Sequence, residues 1–214
     1  MQIQDYIDHT ILKPTATISD IEKLCKEAID HKFYAVCVNG CYTKPAKNKL
    51  EGSKVKLAVV IGFPLGAMST ASKVFEAQDC IANGADEVDM VINVGWMKSG
   101  KFNWVQQEIS SIKKAIGGKV LKVIIETCYL TKEEKIKACT LALEAGADFV
   151  KTSTGFGTGG ATLEDVKLMK DVVGSKAKIK ASGGIKDRTT ALKYIALGVS
   201  RIGTSSGIAI ASTE

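Results

Sequence analysis

The sequence predicts an α/β chain folded as a (β/α)8 TIM barrel, a single domain over residues 1–214. Three observations carry that reading. Apolar strand-like runs alternate strictly with amphipathic helix-like runs, and such alternation implies parallel strands joined by helical crossovers. Eight runs of each kind fit within 214 residues, near the short end for a barrel. The segments "NGADEVD", "AGADFVK" and "LGVSRIG" also repeat one pattern, a helix-ending Gly, a small residue, a polar residue and then a strand. An open doubly wound sheet is the alternative, but it would normally show GxGxxG after its first strand, and none stands there.

The elements follow in order. "YIDHTIL" is the first strand, then a helix over 19–31 and the strand "YAVCVN". A short helix near 45–50 leads to "KLAVVIGF", and a helix over 69–83, stopped by Gly84, leads to "EVDMVIN". A helix over 103–116 precedes "LKVIIET". Thr131, with Glu134 at the capping-box position, opens a helix over 132–144 that Gly146 ends. "FVKTSTG", a helix over 163–173 ended by Gly174, and "KIKASGG" come next. A helix over 188–197 stops at Gly198, "RIGTSS" is the last strand, and a short helix follows Ser206.

Composition narrows the function. The first residues lack the basic start and apolar stretch of a signal peptide. The longest uncharged run, 57–72, is broken by Gly62, Pro64 and Gly66 and is too short to span a bilayer. Six cysteines without a CxxC pair read as reduced thiols of a cytoplasmic protein. Two histidines in no ligand spacing give no support for a metal, and no cofactor is expected. The net charge of +6 comes from lysines scattered over helices, which argues against nucleic acid and for a mild attraction of small anions.

Two lysines stand out. Lys151 and Lys180 each end an apolar run, where an ammonium is costly unless something requires it. Counting five residues from each repeat glycine gives Asp89, Lys151 and Gly203, which predicts one layer near the C-terminal mouth, with Cys37 beside it and Lys180 in an adjacent layer. A lysine of ordinary pKa cannot attack a carbonyl at neutral pH. A second ammonium about 6 Å away disfavours its charge by roughly 3 kcal/mol at an effective dielectric near 20, and desolvation adds to this. One amine is then poised to form a Schiff base, with Asp89 and Lys180 moving protons. The residues alone leave open which lysine is the nucleophile. The turns "SGGI" and "GTSS" end the last two strands, where barrels often cradle a phosphate. The expected ligand is therefore a short sugar phosphate whose carbonyl reaches a lysine while its phosphate rests on Gly184 and on Gly203 to Ser205.

"IDHTILKP", "VCVNG", "EVDMVINVG", "KTSTGF", "KASGGI" and "RIGTSSG", in this order, resemble the deoxyribose-phosphate aldolase family over nearly the whole chain. The resemblance implies a class I aldolase that reversibly cleaves 2-deoxy-D-ribose 5-phosphate to acetaldehyde and D-glyceraldehyde 3-phosphate. It places the Schiff-base lysine on Lys151 and the relay on Asp89 and Lys180. It places phosphate binding on Gly183, Gly184, Gly203, Thr204, Ser205 and Ser206, and further substrate contacts on Asp8, Thr10, Cys37, Thr154 and Gly155. Two departures are visible: Phe156 stands where some members carry a lysine, and the chain ends soon after the last strand, where longer members add a tail. The alternatives are a Schiff-base barrel of the transaldolase or fructose-6-phosphate aldolase kind, and a barrel that only binds sugar phosphates. The expected partners are small sugar phosphates and aldehydes, with no nucleic acid and no membrane. Self-association is left open.

Overall fold

Every predicted strand forms, and each is shorter than the apolar run that announced it. The structure, a computed structural model, describes residues 2–212. The strands are β1 (Ile7–Thr10), β2 (Ala35–Asn39), β3 (Lys56–Ile61), β4 (Glu87–Val91), β5 (Val120–Ile124), β6 (Phe149–Lys151), β7 (Lys178–Ser182) and β8 (Arg201–Thr204). Each is parallel to its neighbours, and β8 returns to β1, so the sheet closes into the expected (β/α)8 barrel. Most of the surplus residues turn off the ladder at its C-terminal end, whereas Tyr6 and Tyr34 stand ahead of β1 and β2.

The helices are α1 (Ile18–Asp30), α2 (Thr43–Lys49), α3 (Thr70–Ala82), α4 (Val94–Lys98), α5 (Phe102–Ile116), α6 (Lys132–Glu144), α7 (Leu163–Val173), α8 (Arg188–Ala196) and α9 (Gly207–Ala211). The capping box that opens α6 forms as read: Thr131 N–H donates to Glu134 Oε2 at 2.8 Å, and Glu134 N–H donates to Thr131 Oγ1 at 3.3 Å. The four helix-ending glycines all take positive φ, from 55° at Gly174 to 103° at Gly84, a conformation that a Cβ disfavours. The short helix α4 was not anticipated. It is too brief to show a 3.6-residue period, and its signal is the cap, Asn93 Oδ1 accepting from Trp96 N–H at 3.1 Å.

Alternation sorts the strand side chains. Ile7, Val36, Val59, Met90, Val123, Val150 and Ile179 point outward into the main apolar core between barrel and helices. The opposite faces hold charge. Asp8, Glu87, Asp89, Lys122, Lys151, Lys180 and Arg201 are all buried inside the barrel. Arg201 Nε donates to Asp8 Oδ1 at 2.6 Å, and its Nη2 donates to Glu87 Oε2 at 2.8 Å. Lys122 reaches Glu87 at 2.5 Å and Asp89 at 2.7 Å. The Tyr34 ring lies 3.5 Å from the Arg201 guanidinium carbon and covers it just ahead of β2, toward the N-terminal end of the barrel.

Gly203 belongs to this packing. A Cβ there would lie 3.0 Å from both Lys180 Cε and Ser182 Cβ, so the missing side chain is what lets the Lys180 stem run past β8. Breaking the ladder should be expensive. Arg201→Met would leave Asp8 and Glu87 buried without their shared cation, for an expected loss of about 3–5 kcal/mol in urea unfolding. A loss below about 1 kcal/mol would show that the guanidinium is not needed to neutralise them.

Candidate active site

Three amines meet one carboxylate at the upper end of the ladder. Asp89, in the middle of β4, accepts from Lys122 on Oδ1 at 2.7 Å, and from both Lys151 and Lys180 on Oδ2 at 2.8 Å. Two amines so close to one oxygen are within about 6 Å of each other, where like charges repel appreciably. The expected pair is therefore real, and it is bridged by an anion. The expected split between layers is found: Lys151 and Lys180 are direct partners in the β6–β7 register, and because each layer of a closed barrel draws on alternate strands, register partners on neighbouring strands fall in adjacent layers.

The two lysines differ in surroundings. Lys180 is fully buried and lies 2.8 Å from Asp89 and 2.5 Å from Asp8, the latter a charge contact rather than an aligned hydrogen bond. Burial opposes its charge, but Asp8 and Asp89 outweigh burial and hold its pKa above the usual lysine value. Lys151 has one carboxylate contact and lines a cavity of about 360 Å³. Its pKa is lowered, by burial first; Asp89 opposes the shift and the Lys180 charge adds to it. The sequence reading assigned this shift chiefly to the second ammonium, and the larger cause is desolvation. Burial also opposes ionisation of Asp89, yet Lys122, Lys151 and Lys180 together hold it well below the ordinary carboxylate range. Asp8 is likewise pulled down to about 2 against its burial, by Arg201 and Lys180.

The cavity brings together most of the predicted contacts. Thr10, Thr154, Gly155, Gly183, Gly184, Gly203, Thr204 and Ser205 all line it with Lys151. Gly183 and Gly184 sit at φ 88° and 83°, two successive left-handed residues that turn the chain tightly after β7. Four expected positions differ. Asp8 is fully buried in the ion ladder and does not reach the wall, because Arg201 and Lys180 hold its carboxylate. Cys37 packs with Leu12, Ala58 and Val60, and burial raises its thiol pKa. Ser206 lies outside the lining because its N–H turns back to Thr204 Oγ1 at 2.9 Å. Thr154 lines the cavity without offering its hydroxyl, which donates to Glu126 Oε2 and accepts from Phe156 N–H. Phe156, half-exposed, meets the Phe63 ring edge-on at 5.4 Å on the cavity rim.

The sequence reading missed the supports beneath the site. Glu87, Lys122 and Arg201 complete the ladder, and each could have been found by the period of two, which puts Glu87 on the face of Asp89 and Arg201 on the face of Gly203. Lys122 is a lone charge in "LKVII", the same signal that exposed Lys151. Lys13 and Lys186, which line the cavity with their cationic chains, were also passed over.

The arrangement suits amine chemistry: a buried lysine whose charge its surroundings disfavour opens on a cavity lined by glycine turns and hydroxyls. Comparisons with known proteins point the same way. The model of the DeoC/LacD family aldolases matches residues 3–212. A deoxyribose-phosphate aldolase of Finegoldia magna is 59% identical over 210 residues, covering 98% of this chain and 99% of its own. A solved structure described as QR15, an aldolase, superposes with a TM-score of 0.95 at 45% identity, covering 99% and 95% of the two chains. A deoxyribose phosphate aldolase from Aeropyrum pernix, described as a unique tetrameric structure, superposes at 0.92 with 34% identity and coverage of 98% and 89%.

An amine-specific label should separate the two lysines. Reductive methylation at neutral pH is expected to mark Lys151 well before Lys180, with labelling that rises with pH, as read by peptide mass spectrometry. Equal labelling would contradict the difference in surroundings.

Proposed function

This chain belongs to the DeoC/LacD family of aldolases, and from that premise we propose that Lys151 is the Schiff-base lysine of a cavity built for 2-deoxy-D-ribose 5-phosphate. The enzyme is a class I aldolase that cleaves this substrate reversibly to acetaldehyde and D-glyceraldehyde 3-phosphate, in the breakdown of deoxyribose phosphates. One observation carries the assignment of the nucleophile: of the two lysines that share Asp89 Oδ2, only Lys151 both lines the cavity and is pushed toward its neutral form.

The neutral amine attacks the aldehyde carbon, and loss of water gives a protonated imine. That cation accepts the electron pair of the C2–C3 bond as the C3 hydroxyl loses its proton. Glyceraldehyde 3-phosphate leaves, and an enamine remains on Lys151. Protonation of the enamine carbon and hydrolysis release acetaldehyde and restore the amine. Lys180, held charged, supplies protons, and Asp89 accepts them. Both lie behind the wall, so a bound water completes the path. The phosphate rests on Gly183, Gly184 and Gly203 to Ser205. Lys186 and Lys13 bring positive charge to this cavity, offsetting the lysine that Phe156 replaces.

The curated relative and the Aeropyrum structure bear the deoxyribose-phosphate aldolase name, which favours this reading over a transaldolase-type barrel or a binding-only barrel. A cytoplasmic setting belongs to the same reading, supported by Cys25, Cys37, Cys80 and Cys139, which serve as buried core side chains. Nucleic acid and membrane surfaces are not among the proposed partners. Self-association is supported by the tetramer described for the Aeropyrum relative and by Leu65 and Phe75, which are 77% and 72% exposed. Light scattering should report more than one copy, and a monomer at all concentrations would remove that part of the reading.

Borohydride added with 2-deoxyribose 5-phosphate should leave an irreversible mass adduct on Lys151, and Lys151→Met should abolish both adduct and turnover. Retained turnover would reassign the nucleophile. The pH profile has a definite sign. Turnover rises as Lys151 loses its proton, so its lowered pKa sets the acid limb. Lys180→Leu removes a repelling charge and leaves Asp89 with one cation fewer, and both effects favour the charged amine. The acid limb of imine trapping should therefore move to higher pH. A shift to lower pH would break the proposed coupling.

A further inference from the structure

Glu126, just past β5, adopts a left-handed backbone at φ 54° and ψ 68°, a conformation that a residue with a Cβ visits only when its surroundings impose it. Its carboxylate is buried, at 3% residual exposure, and among the described residues no lysine or arginine forms an ion pair with it. A buried carboxylate without a cation is costly unless hydrogen bonds replace the lost water. Apart from a long contact from Cys128 Sγ to Oε1 at 4.0 Å, its bonds come from one residue. Thr154 N–H donates to Oε1 at 3.1 Å and to Oε2 at 3.3 Å, and the Thr154 hydroxyl donates to Oε2.

The loop that follows β6 is thereby pinned at its near end. Thr154 Oγ1 in turn accepts from Phe156 N–H at 3.0 Å, so the carboxylate fixes Thr154 and Thr154 fixes Phe156. The chain then passes in contact with the same group: a Cβ on Gly157 would lie 2.8 Å from Cys128 Sγ and 3.3 Å from Glu126 Cδ. At its far end the loop is pinned by backbone. A Cβ on Gly160 would lie 2.3 Å from the Gly183 carbonyl oxygen, and Ala161 N–H donates to Ser182 O at 3.1 Å. Thr154, Gly155 and Phe156, at the near end of this loop, line the cavity, and the Phe156 ring packs edge-on against Phe63.

We propose that Glu126 is a positioning residue of this site: its carboxylate clamps the loop so that Thr154 to Phe156 form a fixed wall for the part of the sugar phosphate remote from the aldehyde. The proposal rests on the aldolase reading above and deepens it. Lys151 itself is held by β6 and Asp89, independently of the clamp. Loss of the clamp therefore weakens binding of the long substrate and leaves imine formation with a short aldehyde alone.

Glu126→Gly tests this, because glycine suits the left-handed backbone and removes the side chain with its carboxylate without straining the loop. The expected result is a KM for 2-deoxyribose 5-phosphate raised about tenfold, with the rate of borohydride capture of acetaldehyde on Lys151 within about twofold of the parent. Glu126→Gln, which can still bond Thr154 N–H through its oxygen and Thr154 Oγ1 through its amide, is expected to recover most of the lost affinity. An unchanged KM in Glu126→Gly overturns the proposal. So does a capture rate with acetaldehyde that falls as KM rises, which would mean that Glu126 merely stabilises the barrel. If the parent protein itself forms no adduct, the Schiff-base reading falls first; an adduct on the parent with unchanged KM in the glycine variant removes only the role of Glu126.

Discussion

One carboxylate shared among three ammoniums sets the terms for the whole interior. Asp89 receives Lys122, Lys151 and Lys180, and a barrel centre that would otherwise be filled with branched apolar side chains is filled with paired charge instead. Among the described residues the ladder holds four cationic side chains, Lys122, Lys151, Lys180 and Arg201, against three carboxylates, Asp8, Glu87 and Asp89. A low-dielectric interior cannot hold that surplus cheaply. One cation must be the easiest to discharge, and contact number decides which. Lys122, Lys180 and Arg201 each touch two carboxylates, whereas Lys151 touches one.

Much of this was legible in the sequence. The alternation of runs, the capping box at Thr131 and the helix-ending glycines located nearly every element, because each signal is local. Lys151, Lys180 and Asp89 were legible because charge inside an apolar run has few cheap explanations. Depth was legible as well. The repeat count put Asp89, Lys151 and Gly203 in one layer and Lys180 in the adjacent one, as the strand registers have it. The surroundings of Asp8 were not legible. Its position matched a motif, but whether a carboxylate faces substrate or cations depends on Arg201, which lies at the other end of the chain.

The loops at the mouth follow a different rule from the ladder beneath. There the chain gives up side chains so that backbone can approach backbone. Gly160 and Gly183 touch main chain to main chain, and two consecutive left-handed glycines turn the segment after β7. Glu126 is the exception, a large residue in a conformation that glycine would adopt freely. Its side chain does what glycine cannot: the carboxylate accepts from the Thr154 N–H and hydroxyl, with Cys128 Sγ a longer donor at 4.0 Å. Strain at one residue is thus exchanged for order in a loop on the cavity wall.

The opposed influences on Lys151 become intelligible once the charge of each species is followed. Burial drives the free amine toward neutrality, while Asp89 pulls it back toward the ammonium. Taken for the resting state alone, Asp89 works against nucleophilicity. In the proposed reaction, however, the amine must be neutral only to attack; the imine it then forms must carry a positive charge to draw electrons from the breaking carbon–carbon bond. A purely apolar pocket would favour the first state and penalise the second. A pocket with two carboxylates, as around Lys180, would leave the lysine protonated and inert. A single carboxylate contact, 2.8 Å from the nitrogen, lies between these extremes. It permits the neutral amine and repays its cost when charge returns on the imine, which is stabilisation directed at the species along the reaction path rather than at the resting enzyme.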